Sequence, residues 1–154
     1  MEQKKTTPEP VARAEPSVVS ELAAELRISV ARLSRRLRRQ ARSGLSVTQL
    51  SALVTLDKHT EMTPRELAGH EHVKPPSMTR TVASLEAAGL VARRAHPTDG
   101  RQVVLALTDS GRSLLVEHRR LKEAWLAQRL AELTAEERAA LERAAPILER
   151  LSRM

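Results

Sequence analysis

Cysteine is absent from this chain, which excludes disulfides and thiol-based redox sensing. Phenylalanine and tyrosine are absent as well, leaving Trp125 as the lone aromatic side chain. That counts against readers of RNA or single strands, which stack bases on aromatic platforms. No run of eighteen apolar residues occurs and the first residues are polar and charged. Neither a membrane span nor a signal peptide is expected, and a cytoplasmic protein is the default. A glycine-rich phosphate loop, a cysteine nucleophile and a metal-spaced carboxylate cluster are also missing, so neither catalysis nor a cofactor is expected.

What is present is positive charge. Among 154 residues, 26 Lys and Arg face 19 Asp and Glu, a formal net charge of +7. Such a balance favours a polyanionic partner, nucleic acid above all, although anionic membranes attract the same charge. Most of the cations are Arg, whose planar fork suits phosphate and guanine better than a loose tether does.

Pro8, Pro10 and Pro16 lie among charged and small residues, and 1–16 reads as a disordered tail. Leu22, Leu26, Val30, Leu33 and Leu37 then recur at helical spacing, an apolar stripe along a helix over 17–42. At about 1.5 Å per residue it is nearly 40 Å long and needs more than a small body to cover it. Ser46-Val-Thr-Gln49, Thr63-Pro-Arg-Glu66 and Thr134-Ala-Glu-Glu137 are capping boxes that open further helices, and Thr108 caps another. The spacing predicts helices over 46–59, 63–70, 74–88, 108–131 and 134–151, with strands over 90–95 and 102–107. Leu45 and Leu56 are expected to join the second helix to the first. The class is mostly α with a small β-hairpin.

From Met62 to Leu107 the order is helix, turn, helix, then a hairpin around a basic Asp-Gly turn, a helix-turn-helix followed by a wing. In its second helix Met78, Val82 and Leu85 fall within about 60° of one another and define the buried face. Pro76, Arg80, Ala83 and Ser84 point away, with Ser77 and Thr79 on the flanks. An ordinary solvated helix carries Glu–Lys pairs there. Here hydroxyls and one Arg suit phosphates and base edges instead. In the hairpin, Arg93 and Arg94 lead to Asp99-Gly100, where Gly supplies a positive φ. Arg101 then projects from the tip, suited to a narrow minor groove, with Asp99 bracing its guanidinium from behind. Taken alone, the hairpin reads equally as a solvated loop with a local ion pair.

Met62-Thr-Pro-Arg-Glu-Leu-Ala68, Pro76-Ser-Met-Thr-Arg80, Leu85-Glu-Ala-Ala-Gly-Leu-Val91, Asp99-Gly-Arg101 and Leu107-Thr-Asp-Ser-Gly-Arg112 together resemble the MarR family of winged-helix transcriptional regulators. The resemblance runs from about Ser17 to the C-terminus. It implies a homodimer on double-stranded palindromic DNA, commonly repressing and often released by a small phenolic or lipophilic effector. It assigns Ser77, Thr79 and Arg80 to the recognition helix and Arg101 to the wing. Thr63 and Pro64 would set a helix N-terminus against a phosphate. Lys74-Pro75-Pro76 departs from the family, which more often has a Ser or Thr cap there, and Lys74 becomes an extra phosphate contact. The full candidate DNA-contacting set is Thr63, Pro64, Lys74, Pro76, Ser77, Thr79, Arg80, Ser84, Arg94, Asp99 and Arg101.

By the same resemblance the winged helix-turn-helix occupies about 46–107 of a single domain over 17–154. Helices at about 17–42 and 108–152 interleave between two copies. Leu22, Leu26, Leu115, Leu121, Trp125, Leu141, Leu148 and Leu151 supply that interface, some also serving the chain's own core. The run Arg35, Arg36, Arg38, Arg39 and Arg42 reads as a solvated face or as a phosphate contact. His59, His70 and His72 lie close together without metal-ligand spacing, so no metal is expected; His118 suits an effector pocket or the interface. The competing class is a basic helical adaptor for an acidic protein or a membrane, which has no need of the Asp-Gly-Arg wing.

Overall fold

The computed structural model describes residues 16–41, 43–96, 98–99 and 101–154. The expected tail, apart from Pro16, lies outside the described residues, as do Arg42 and Gly100. The chain forms two compact units, residues 1–36 and residues 37–154. Helix α1 (Pro16–Gln40) supplies the described part of the first and ends within the second. Along it Leu22, Leu26, Val30 and Leu33 are 37–55% exposed.

The second unit contains α2 (Val47–His59), β1 (Glu61–Met62), α3 (Pro64–His70), α4 (Pro75–Ala87), β2 (Val91–Ala95), β3 (Val103–Leu107), α5 (Asp109–Ala131) and α6 (Ala135–Ser152). The three strands form an antiparallel sheet in the order β1-β3-β2, with Met62 opposite Leu105 and Arg93 opposite Leu105 on its other side. β1 has no counterpart in the sequence reading. Two residues show no periodicity, and only the pairing with β3 makes them a strand.

All three capping boxes form. Ser46, Thr63 and Thr134 each accept from the backbone N–H three residues on, while Gln49, Glu66 and Glu137 return to the cap N–H. Leu53, Leu56, Leu67, Met78, Val82, Leu85 and Leu105 are the largest fully buried side chains, so α2, α3, α4 and the sheet share one core. Leu56 and the partly buried Leu45 both serve this core. Leu115 joins it too, so it serves the chain's own core, the role expected of some of these side chains.

Two turns aim α4. Between α3 and α4, the His72 N–H donates to the Gly69 carbonyl and Val73 to Ala68, with His72 at φ +51°. This is a Schellman stop with His in the left-handed position that Gly usually takes. After α4 the pattern repeats with Gly89 at φ +70°, donating to Glu86 while Leu90 donates to Leu85. The sharp exit carries the chain straight into β2. Beyond the wing, the Thr108 hydroxyl donates to the Gly89 carbonyl and accepts from the Gly111 N–H, tying the start of α5 to the end of α4.

Only the first half of α5 is docked, through Gly111, Leu115 and His118; α6 has no buried residue. The Arg138 guanidinium donates to the Leu133 carbonyl at the corner between the two helices. No described helix is long and apolar enough to cross a membrane.

At Gly111 a Cβ would lie 2.3 Å from the Leu90 carbonyl oxygen, a backbone atom with no freedom to retreat. Gly111→Ala is therefore expected to destabilise the chain by about 1–3 kcal/mol. Urea unfolding checks this, and a wild-type midpoint would show that the approach is not tight.

Candidate nucleic-acid interface

Helix α4 presents the face expected of it. Met78, Val82 and Leu85 are buried, while Pro76, Ser77, Thr79, Arg80, Ala83 and Ser84 are exposed. The one acid on the helix, Glu86, is engaged by Arg93 of β2 at 2.8 Å. What faces solvent is thus Arg80 and hydroxyls, with no uncompensated negative charge. The Thr79 hydroxyl donates to the Pro75 carbonyl at 3.0 Å and Thr81 to Ser77 at 3.1 Å, so both keep lone pairs but spend their hydrogens inside the helix. Ser84 is used differently: its Oγ accepts from Gln49 Nε2 of α2 at 2.8 Å.

Lys74 is the N-cap of α4 and makes no side-chain cap bond. Pro75 and Pro76 have no N–H, and the Ser77 and Met78 N–H groups both donate to the Lys74 carbonyl. The start of the helix therefore offers fewer backbone donors than usual, the Lys74 N–H among them, and an anion there meets chiefly the Lys74 ammonium.

The start of α3 is occupied as well. Glu66 accepts from the Thr63 N–H at 2.7 Å and from the Thr63 hydroxyl at 2.9 Å, which hold its carboxyl below the usual range. Pro64 has no N–H. The negative charge of Glu66 opposes a phosphate at this position, so Thr63 and Pro64 serve chiefly as a cap. Arg65, exposed and without an ion pair among the described residues, is the cation left there. In the sequence it is hidden inside the Thr63-Pro-Arg-Glu66 capping motif.

At the wing, the Asp99 carboxylate accepts from the Arg101 backbone N–H at 3.0 Å and from Gln102 Nε2 at 2.7 Å. These bonds, the Arg101 N–H first, hold its carboxyl below the ordinary range. Asp99 braces the backbone of the tip and makes no described ion pair with the Arg101 guanidinium, contrary to the expectation. The reason is reach: a backbone N–H two residues on closes an Asx-type turn at once, whereas the long Arg side chain must give up rotamer freedom. His96 Nδ1 accepts from the Asp99 N–H at 3.2 Å and closes the tip from the other side. Arg101 is left exposed and unpaired among the described residues. Arg94 lies 3.5 Å from Glu61, and its charge is partly answered within the chain.

The residues expected at an interface between copies divide by place. Leu22 and Leu26 are exposed on α1, and Leu148 and Leu151 are 41% and 53% exposed on α6. Leu121 and Trp125 are half-buried on the distal part of α5, where Arg129 lies over the Trp125 ring at 5.7 Å. His59 and His70 have ring centroids 4.7 Å apart, and His72 is committed to its turn. Among the described residues no three His, Cys, Asp or Glu are placed to hold a metal ion.

The MarR family profile matches residues 45–103, the stretch from α2 into β3. An uncharacterized HTH-type transcriptional regulator of Mycobacterium bovis is 49% identical over 128 residues, covering 82% of this chain and 90% of its own. The chain belongs to the MarR family. As a MarR-family member it is a DNA-binding regulator of transcription and not an enzyme. A MarR family protein from Bacillus stearothermophilus superposes with a TM-score of 0.75 at 26% identity, covering 92% of this chain and all of its own. A Staphylococcus aureus MepR mutant, solved bound to an oligodeoxyribonucleotide, superposes with a TM-score of 0.68 at 19% identity over 85% of this chain and 96% of its own. That likeness concerns the fold.

A concavity of about 270 Å³ in this MarR-family chain lies between α2 and α5. Leu50, Val54, Leu115 and His118 line it with Asp57, Lys58, Arg119 and Lys122. Burial pushes the His118 imidazole below the ordinary histidine range and the Lys122 charge adds to this, while a hydrogen bond to the Ala41 carbonyl opposes both. Burial likewise lowers Lys122, helped by Arg38. The folded chain thus holds His118 neutral where the unfolded chain already binds a proton, and stability rises with pH over that window. Its contribution is expected to fall away as pH drops from about 6.5 toward the lowered folded value. Urea unfolding of the wild type and His118→Gln across pH 5–7.5 checks this; identical pH dependence in both would contradict it.

Proposed function

We propose that this regulator acts as a homodimer on a palindromic operator and represses by occupying it. The observation that carries the reading is the exposed face of α4, where Ser77, Thr79 and Arg80 stand with the helix's one acid already paired, together with an Arg101 on the wing that has no ion pair among the described residues. Arg80 forks onto a guanine edge in the major groove, with Ser77 and Thr79 as shorter readers and Pro76 keeping the approach close. Arg101 enters the adjacent minor groove, steered by a tip that Asp99 holds rigid. Lys74, Arg65 and, less strongly, Arg94 meet phosphates, and Thr63 and Pro64 set Arg65 in place.

The apolar faces left open on α1 and α6 support pairing with a second copy, in which Leu22, Leu26, Leu121, Trp125, Leu148 and Leu151 meet their counterparts. Two recognition helices then address successive major grooves about 10 bp apart. The groove between α2 and α5, with its apolar floor and a rim of Lys58, Arg119 and Lys122 against the single acid Asp57, suits a small lipophilic or phenolic effector.

Selection of bound duplexes from genomic DNA, followed by gel shift, tests the reading. A single symmetric motif is expected. Arg80→Ala should cost about 1–3 kcal/mol on that motif and relax preference at one base pair per half-site. Arg101→Ala should lose A·T preference at the flanks. Uniform weakening on every sequence by Arg80→Ala would overturn the base contact, and absence of any preferred sequence would overturn the function. In sedimentation, the wild type should run as two chains and a Leu148→Glu, Leu151→Glu variant as one. A wild-type monomer at micromolar concentration would remove the dimer.

A further inference from the structure

Three helices open with capping boxes, and two of them return a carboxylate to the cap: Glu66 at α3 and Glu137 at α6. At α2 the returning residue is Gln49, and its amide has a second use. Oε1 accepts from the Ser46 backbone N–H at 2.7 Å, and a backbone N–H can only donate. That settles which end of the amide is which, so Nε2 faces α4 and donates to Ser84 Oγ at 2.8 Å. Ser84 is therefore the acceptor in this bond and keeps its hydroxyl hydrogen. Unlike Thr79 and Thr81, whose hydrogens go to helix carbonyls, Ser84 has no described acceptor for it. Ser84 is exposed, and the second hydrogen on Nε2 of half-buried Gln49 has no described acceptor either.

We infer that Gln49 and Ser84 form a paired neutral donor for one backbone phosphate of the operator, with Gln49 both touching the phosphate and aiming the Ser84 hydroxyl. The inference rests on the reading that the exposed face of α4 meets duplex DNA. Ser84 lies one turn beyond Arg80 on that face and toward the C-terminal end of the helix. The N-terminal residues of a recognition helix reach base edges, so its later residues meet the wall of the groove, which is phosphate. A Glu in place of Gln49 would cap α2 equally well but would put a carboxylate against that wall. The amide at this one box, beside the recognition helix, keeps the cap without the repulsion.

The test uses the full-length protein on the duplex it selects, with methylphosphonate replacing each phosphate in turn, and compares wild type with Gln49→Glu and Ser84→Ala. Gln49→Glu keeps the capping box and should unfold at the wild-type temperature. It should bind at least about tenfold weaker, and Ser84→Ala about two- to tenfold weaker. One phosphate per half-site should be costly to neutralise for the wild type and cost neither variant anything further. Ser84→Ala leaves the box untouched and carries the test alone if Gln49→Glu does not fold. Binding by both variants at wild-type strength, or weakening that no single phosphate accounts for, overturns the inference. In that event a persisting loss in Arg80→Ala shows that the DNA reading itself stands. If the wild type forms no preferred complex, both fall.

Discussion

Met78, Val82 and Leu85 enter the core with 0–1% of their surface left exposed, and that burial sets the roll of α4 about its own axis. Each such side chain contributes about 1.5–3 kcal/mol by leaving water. The exposed ion pairs around the site contribute roughly 0–1 kcal/mol each. The hydrophobic anchor therefore decides which residues look outward, and Arg80 with its hydroxylated neighbours faces solvent as a consequence. The pair Arg93–Glu86 then refines the arrangement by removing the one charge on α4 that would repel a polyanion.

Backbone chemistry sets the ends of the same helix. Prolines at its first two positions and the shared Lys74 carbonyl leave few backbone donors at the start, so the charge available there is mainly that of the Lys74 side chain. At the other end, Gly89 reverses the chain within a residue and delivers it to β2, with Thr108 fastening the junction to α5. The end of α4, the start of β2 and the start of α5 are thus tied together at one junction.

Much of this was legible in the chain. Helical periodicity and capping boxes marked the helices to within two residues, because caps and apolar spacing are local. The open face of α4 could be read because its three buried residues lie on one stripe. What escaped was tertiary or too short to have a pattern. β1 exists only through pairing with β3. The brace made by Asp99 goes to backbone rather than to a guanidinium. Ser84 was read as an outward hydroxyl, but its link to Gln49 depends on how α2 packs against α4. That Leu115 is one of the leucines serving the core was open in the sequence, since spacing alone does not separate the two ends of a long helix.

Beyond His118, α5 and α6 carry apolar side chains that the single chain does not cover, and α1 carries others. These uncovered faces are what the proposed second copy, with its second reading head, would meet. The most direct test of that central claim is a hydroxyl-radical footprint of the wild type on its selected duplex. Two symmetric protected patches, with centres about 10 bp apart on one face of the DNA and flanking minor-groove protection from the wings, are the predicted result. A single asymmetric patch, or protection that spreads without regard to sequence, would contradict it.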